Sequence, residues 1–304
     1  MKILFCTIAA AFAVALPAHA SINIFTCEPE WGALSKELAG GDADVFVATT
    51  ARQDPHQIQA RPALIARLRN ADLAVCSGAE LEIGWMPALL RQAANGKVQP
   101  GAPGYFAAAE QVQRLDIPSR VDRAEGDIHP SGNPHVQTDP RNIRTIAVAL
   151  AARLNQIDPA HGAAYAQRRD DFLRRWDAAT LRWQQQGAPL KGTRAVVYHK
   201  DWAYLFAWLG IEEVATIEPK PGVPPSSAYI AQLLDDIPHR NAQLIVYAAY
   251  QDPRASQFVA EKSGLPAALL PFTVGGTDAA KDLFGLFDDT VARLLSAESA
   301  RAKP

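Results

Sequence analysis

Seven histidines stand in this 304-residue sequence, and their neighbours separate them by the chemistry each could do. Two fall in Gly126 to Pro140, Gly-Asp-Ile-His-Pro-Ser-Gly-Asn-Pro-His-Val-Gln-Thr-Asp-Pro, a loop built largely of turn residues. A loop that only connects has no need of imidazoles. His129 and His135 on a proline-stiffened segment, with Asp127 and Asp139 close by, offer neutral nitrogen ligands and carboxylates of the kind that orient them. A bound metal is the first reading and a solvated surface turn the second. His56 follows a short strand-like run in Gln53-Asp54-Pro55-His56, and His199 ends another in Arg194-Ala195-Val196-Val197-Tyr198-His199. His161 and His239 read as helix or loop surface.

In open α/β sheets ligands gather beyond the carboxyl ends of strands; His56 and His199 stand at such ends and His135 in the opening loop, positions drawn from both halves of the chain. Three imidazoles and one carboxylate make a tetrahedral zinc site. The carboxylate candidates are Asp278 and Asp282 in Gly275-Gly276-Thr277-Asp278-Ala279-Ala280-Lys281-Asp282-Leu283-Phe284. Either equally suits the cap of the helix that follows, and spacing does not choose. His129 stays open between a group that orients a ligand, a group that captures metal transiently, and no role at all.

The elements that must position these residues are legible as alternation. Ile22 to Cys27, Asp44 to Thr49 and Ala71 to Cys76 read as strands, with helices over Trp31 to Leu38, Pro62 to Asn70 and Gly84 to Gln92; Gly96 to Tyr105 reads as a connection. Runs such as Leu73-Ala74-Val75-Cys76 are apolar on both faces, as a sheet covered on each side requires. Asn142 to Gln156 is helical, and Ala160 to Gln186 continues helically with Phe172, Trp176 and Trp183 on one core-facing stripe. At 1.5 Å per residue that second helix spans on the order of 40 Å, a stiff strut between halves. A second alternating series follows: strands at Arg194 to His199, Val214 to Ile217, Gln243 to Tyr247 and Ala267 to Pro271, and helices at Trp202 to Leu209, Ser227 to Asp236, Arg254 to Ser263 and Leu283 to Leu295. The expected fold is α/β: two doubly wound lobes with parallel sheets, 21–157 and 188–304, joined by a long rigid helix over 158–187, with the metal site in the interlobe cleft.

Residues 1–20 read as a signal peptide, with Lys2 ahead of an apolar run from Ile3 to Leu16 and cleavage after Ala20 in Ala18-His19-Ala20. Cys6 lies too early for a lipid-attachment cysteine, so a soluble secreted or periplasmic protein is expected. The formal net charge of −2 becomes one unit more negative once Lys2 leaves. That mild acidity without basic runs argues against nucleic acid and anionic membranes as partners. Cys27 and Cys76, each at a strand end, form one disulfide if those strands are neighbours, and are otherwise two buried thiols.

Asp54-Pro55-His56, Asn133-Pro134-His135 with Asp139-Pro140, Tyr198-His199-Lys200 and Asp282-Leu283-Phe284 resemble, in order, the four ligand motifs of the zinc-binding proteins of bacterial ABC importers, the ZnuA/TroA-like family. Gly126-Asp127-Ile128-His129-Pro130 and Lys281-Asp282-Leu283-Phe284-Gly285-Leu286-Phe287 are most similar to its AztC-like branch. The resemblance implies a periplasmic, monomeric protein that binds Zn2+ between two lobes, with His56, His135, His199 and Asp282 as ligands. It also implies a membrane permease as partner and a periplasmic zinc metallochaperone as a second one. Imidazole at His199, where manganese-binding members carry glutamate, implies zinc. Many zinc-binding relatives carry a long histidine-rich insertion, and here only the short segment with Asp127 and His129 stands in its place. The competing classes are a secreted zinc hydrolase, for which Glu28, Glu80 or Glu218 would serve as general base, and a metal-dependent surface adhesin.

Overall fold

The computed structural model describes residues 21–120, 126 and 128–301; the segment 1–20 read as a signal peptide and Asp127 lie outside them. Four parallel strands form the first sheet: β1 (Ile22–Thr26), β2 (Ala43–Val47), β3 (Leu73–Cys76) and β4 (Tyr105–Ala107), in the spatial order β2-β1-β3-β4. Four more form the second: β5 (Arg194–Val197), β6 (Glu212–Thr216), β7 (Leu244–Ala248) and β8 (Ala267–Leu270), in the order β6-β5-β7-β8. The two halves therefore share one topology. Parallel pairing needs crossovers, and helices α1 (Pro29–Ala39), α2 (Pro62–Arg69) and α3 (Met86–Ala93) supply them in the first half. Each begins with proline at its first turn, where the missing N–H would have no intrahelical partner.

Strand β4 begins at Tyr105, the last residue of the stretch read as a connection. Only three residues long and preceded by glycines and prolines, it carries no periodic signal, and its register with β3 (Ala74 to Tyr105, Cys76 to Ala107) makes it a strand. At the other edge of β3, β1 pairs with it directly, so Cys27 and Cys76 meet 4.8 Å apart at Cα and are disulfide-bonded.

Helix α4 (Pro140–Ile157) leads into the 26-residue α5 (Gly162–Gly187). The stripe of α5 is wholly buried, with Trp176 and Trp183 edge-to-face 5.2 Å apart by centroid, Trp176 edge-on to Phe284 and Trp183 stacked on Phe287 of the last helix, α9 (Leu283–Arg301). Their indole N–H groups are satisfied by Pro140 O and Asp288 Oδ1. On the opposite side Arg168 of α5 donates to Ala39 O at the end of α1. One hydrophobic core runs without a break from Ile24 and Trp31 in the first lobe through Phe172 and Trp176 to Leu244 and Leu294 in the second. Helices α6 (Ala203–Leu209), α7 (Ser227–His239) and α8 (Pro253–Ser263) complete the second lobe. Among the described residues, no helix is long and apolar enough to cross a membrane.

Candidate metal centre

His56 comes from the loop after β2, and its ring is set by its own turn. Asp54 Oδ1 accepts from the His56 backbone N–H at 3.0 Å and lies 2.7 Å from Nδ1, which fixes the proton there and leaves Nε2 a bare acceptor. Trp85 Nε1 donates to Pro55 O, and Gly84 lies under the loop where an added Cβ would stand 2.7 Å from His56 O. His135 is held by an Asn133 side chain that accepts from its backbone N–H at 3.0 Å. His199 stands two residues beyond β5, with Nδ1 2.7 Å from Glu218 Oε2. Oriented imidazoles thus face the cleft from both lobes.

His129 joins them. Ring centroids are 5.3 Å apart for His56 and His129, 5.5 Å for His56 with either His135 or His199, 5.7 Å for His135 and His199, and 6.2 Å for His129 and His135. Two donor groups share His135: His56, His129 and His135, and His135, His199 and Asp201, with the ligand atoms of each within 4.8 Å of one another. A tetrahedron with bonds of about 2.1 Å has edges of roughly 3.4 Å, so either group closes on zinc by small side-chain shifts. His56 Nε2, His129 Nε2 and both nitrogens of His135 are buried without a hydrogen-bond partner. Buried polar atoms are rarely left so, and one free lone pair on each of these three rings is what a cation would satisfy.

The electrostatics keep most of these lone pairs available. Burial, then repulsion by His56 and His199, pushes His129 down to about 3. Burial and the three other imidazoles push His135, only 1% exposed, well below the histidine range. Burial would also lower His199, but the charge on Asp201 and the hydrogen bond and charge of Glu218 outweigh it and raise the group to about 9.

The structure does not bring Asp282 to this cluster. Placed immediately before α9, it is exposed, its Oδ1 accepts from the Gly285 N–H at 2.7 Å, and it lines a separate hollow with Pro29 and Lys36. The capping role open to any aspartate before an apolar helix is the one it takes. Asp278 is exposed in the preceding loop. Asp139 caps α4 and pairs with Arg141 rather than orienting His135. Besides Asp54 and Glu218, the carboxylate beside the rings is Asp201, 0% exposed, 3.5 Å from His135 Nε2, and accepting from Tyr250 Oη and Gln251 Nε2. Its place two residues after His199 is the only sequence signal for it. Of the glutamates considered as bases, Glu218 holds His199, Glu80 accepts from Ser131, and Glu28 is buried against Ser77.

A two-lobed α/β scaffold with a histidine cluster between its lobes defines a metal-binding protein of the solute-binding type. Residues 24–297 match the family model described as zinc-uptake complex component A, periplasmic, and the chain belongs to that family. It is 25% identical over 127 residues to the high-affinity zinc uptake system protein ZnuA of Brucella abortus (strain 2308), covering 42% of this chain and 38% of that protein. It is 20% identical over 254 residues to the zinc-binding lipoprotein AdcA of Streptococcus pneumoniae serotype 4, covering 83% of this chain and 50% of that protein. The chain thus spans half or less of the length of these relatives. A crystal structure of ZnuA shares the fold with a TM-score of 0.74 at 21% identity, over 93% of this chain and 100% of that one.

Proposed function

We propose that this chain captures Zn2+ in the periplasm and delivers it to the membrane permease of an ABC importer. The observation that carries the proposal is the gathering of His56, His129 and His135, whose buried nitrogens lack partners, with His199 and Asp201 of the other lobe in two donor groups that share His135. His56, His135 and His199 are the proposed ligands, and Asp201 takes the fourth place in preference to Asp282. His129, with Asp127 in the same segment, serves as the outer donor that meets the metal first. Nitrogen-rich, borderline-soft coordination suits zinc over harder cations bound through carboxylates. The Gly126 to Pro130 and Lys281 to Phe287 motifs support the AztC-like branch, and a periplasmic metallochaperone is a natural donor for so short a capture segment. Reading the chain as a binding protein also fits Glu218, whose oxygen is committed to orienting His199 instead of activating a water.

Purified, chelator-stripped protein should take up one zinc per chain, measured by metal analysis and competition with a chromophoric chelator. Replacing His56, His135 and His199 together by alanine should weaken binding by more than about 100-fold, since even loss of one supporting residue costs 10–100-fold. Wild-type affinity in that triple variant would end the proposal.

A further inference from the structure

We propose that Phe272 is a positioning residue of the metal centre, its ring set against His135 and Tyr250 by a strained turn that a hydrogen bond between the lobes holds in place. The inference deepens the zinc-capture reading and rests on it. Phe272 lies two residues beyond β8 and has φ 64°, the left-handed region that a bulky side chain rarely enters. Across it the Thr273 N–H donates to Pro271 O at 2.7 Å, which makes residues 271–273 a γ-turn of the rare positive-φ form. A backbone so strained persists only where its surroundings over-determine it. Two contacts do so here. Gly276 closes on the same Pro271 O, where an added Cβ would stand 1.8 Å away. The Thr273 hydroxyl donates to Glu30 of α1 in the other lobe, and both side chains are buried.

The ring itself supplies what His135 lacks. His56 and His199 have their Nδ1 atoms set by Asp54 and Glu218, whereas His135 has no hydrogen bond on either ring nitrogen among the described residues. Metal-binding imidazoles are ordinarily oriented by such a bond, so the angle of this ring is left to packing. Phe272, 4% exposed, meets His135 edge-on at 5.5 Å between centroids, Tyr250 at 5.0 Å and Trp202 at 5.8 Å. Tyr250 Oη in turn donates to Asp201. One ring thus braces a histidine directly and, through Tyr250, the carboxylate beside it.

The test is zinc affinity by chelator competition, with melting temperature and the visible absorption of bound Co2+, for Phe272→Ala, Phe272→Gly, Thr273→Val and the Phe272→Ala, Thr273→Val double variant. Val259→Ala, in a separate core cluster of the second lobe, serves as a variant destabilised away from the site. Phe272→Ala and Phe272→Gly should each weaken zinc at least about tenfold and alter the Co2+ bands, as loss of a group that orients a ligand does. Glycine, at ease with positive φ, should melt above alanine. Thr273→Val should weaken zinc by about threefold or more alone and by nothing further beside Phe272→Ala, because it acts through the ring. Val259→Ala should melt lower with its zinc affinity and Co2+ bands unchanged. Zinc affinity within about twofold of wild type in Phe272→Ala and Phe272→Gly would overturn this inference and leave the zinc-binding reading standing. An undiminished effect of Thr273→Val in the double variant, or an equal loss of affinity in Val259→Ala, would overturn it as well. Should the variants at 272 fail to fold, Thr273→Val with unaltered affinity and Co2+ bands would overturn it alone. Failure of the wild-type chain to bind zinc would bring down both.

Discussion

Asp201 and Asp282 are the same side chain in opposite surroundings. Asp201 is enclosed beside His135, where burial raises its carboxyl against the pull of His199 and His56, and Tyr250 and Gln251 hold both of its oxygens. Asp282 faces solvent and satisfies a helix end. If Asp201 completes or supports the metal site, Asp201→Asn should weaken zinc binding about 10–100-fold, as loss of such a group typically does. Asp282→Asn should leave affinity within about twofold and stability within about 0.5 kcal/mol, because the asparagine oxygen still accepts the Gly285 N–H at the helix end. Chelator competition and thermal melts on the two variants decide it, and the reverse ranking would restore Asp282 as ligand. The motif reading had identified His56, His135 and His199 by residue type and by loop or strand-end position, and the structure brings all three together. It had no means of ranking aspartates, because an aspartate before an apolar helix reads alike whether it caps or ligates. His129 was left open for a similar reason: six residues of chain do not fix which way a ring turns.

At the scale of elements, the joins between strands carry the remaining chemistry. The disulfide ties β1 to β3 across 49 residues, and the chain-entropy view assigns a loop of that length about 4 kcal/mol at most. Replacing Cys27 and Cys76 by serine should therefore lower stability by about 2–4 kcal/mol in denaturant melts while the zinc stoichiometry stays at one per chain. Near it lie Glu28, Glu30 and Glu82, all buried. Glu30 is pushed up to about 7 by burial, against the hydrogen bond it accepts from Thr273 of the other lobe. A carboxyl whose folded value is raised above the ordinary 4.5 gives its full stabilising contribution below 4.5 and loses it as pH rises through about 7. Glu30→Gln abolishes that titration, so its melting temperature relative to wild type should climb between pH 5 and pH 8, by an amount equivalent to on the order of 1–3 kcal/mol. A difference independent of pH would mean that Glu30 is ionised throughout. Alternation of apolar runs made the strands and helices legible to within a few residues, since burial on both faces leaves a continuous apolar signature. Strand β4 and the Glu30–Thr273 contact were not legible, because the first is defined by pairing and the second by a sequence separation of 243 residues.

For the whole molecule, the question is how far the lobes can move when metal binds. Helix α5 is 26 residues, about 39 Å at 1.5 Å per residue, and it packs on α1 and α4 at one end and on α9 at the other. Bending it would separate Trp176 and Trp183 from Phe284 and Phe287 and open a core that is continuous between lobes. Polar bonds cross the same boundary: Tyr204 Oη donates to Asn133 O at 2.6 Å, Asn133 Nδ2 to Lys200 O at 2.9 Å, and Arg52 Nη1 to Ala249 O at 3.1 Å. Asn133 is also the residue that holds the His135 backbone, so the contact that joins the lobes and the contact that positions a ligand are one. Hinge closure of the kind that strand crossovers permit would break these together, whereas the donor groups need only small side-chain shifts to meet zinc. The radius of gyration in small-angle scattering should accordingly fall by less than about 1 Å on adding one equivalent of zinc, the scale of backbone change in preorganised binding. The loop bearing His129 should instead account for most of the change in amide exchange. A contraction of several ångströms would show that α5 yields. Asn133→Ala should then loosen the lobes and the His135 position at once, weakening zinc binding while increasing the scattering change.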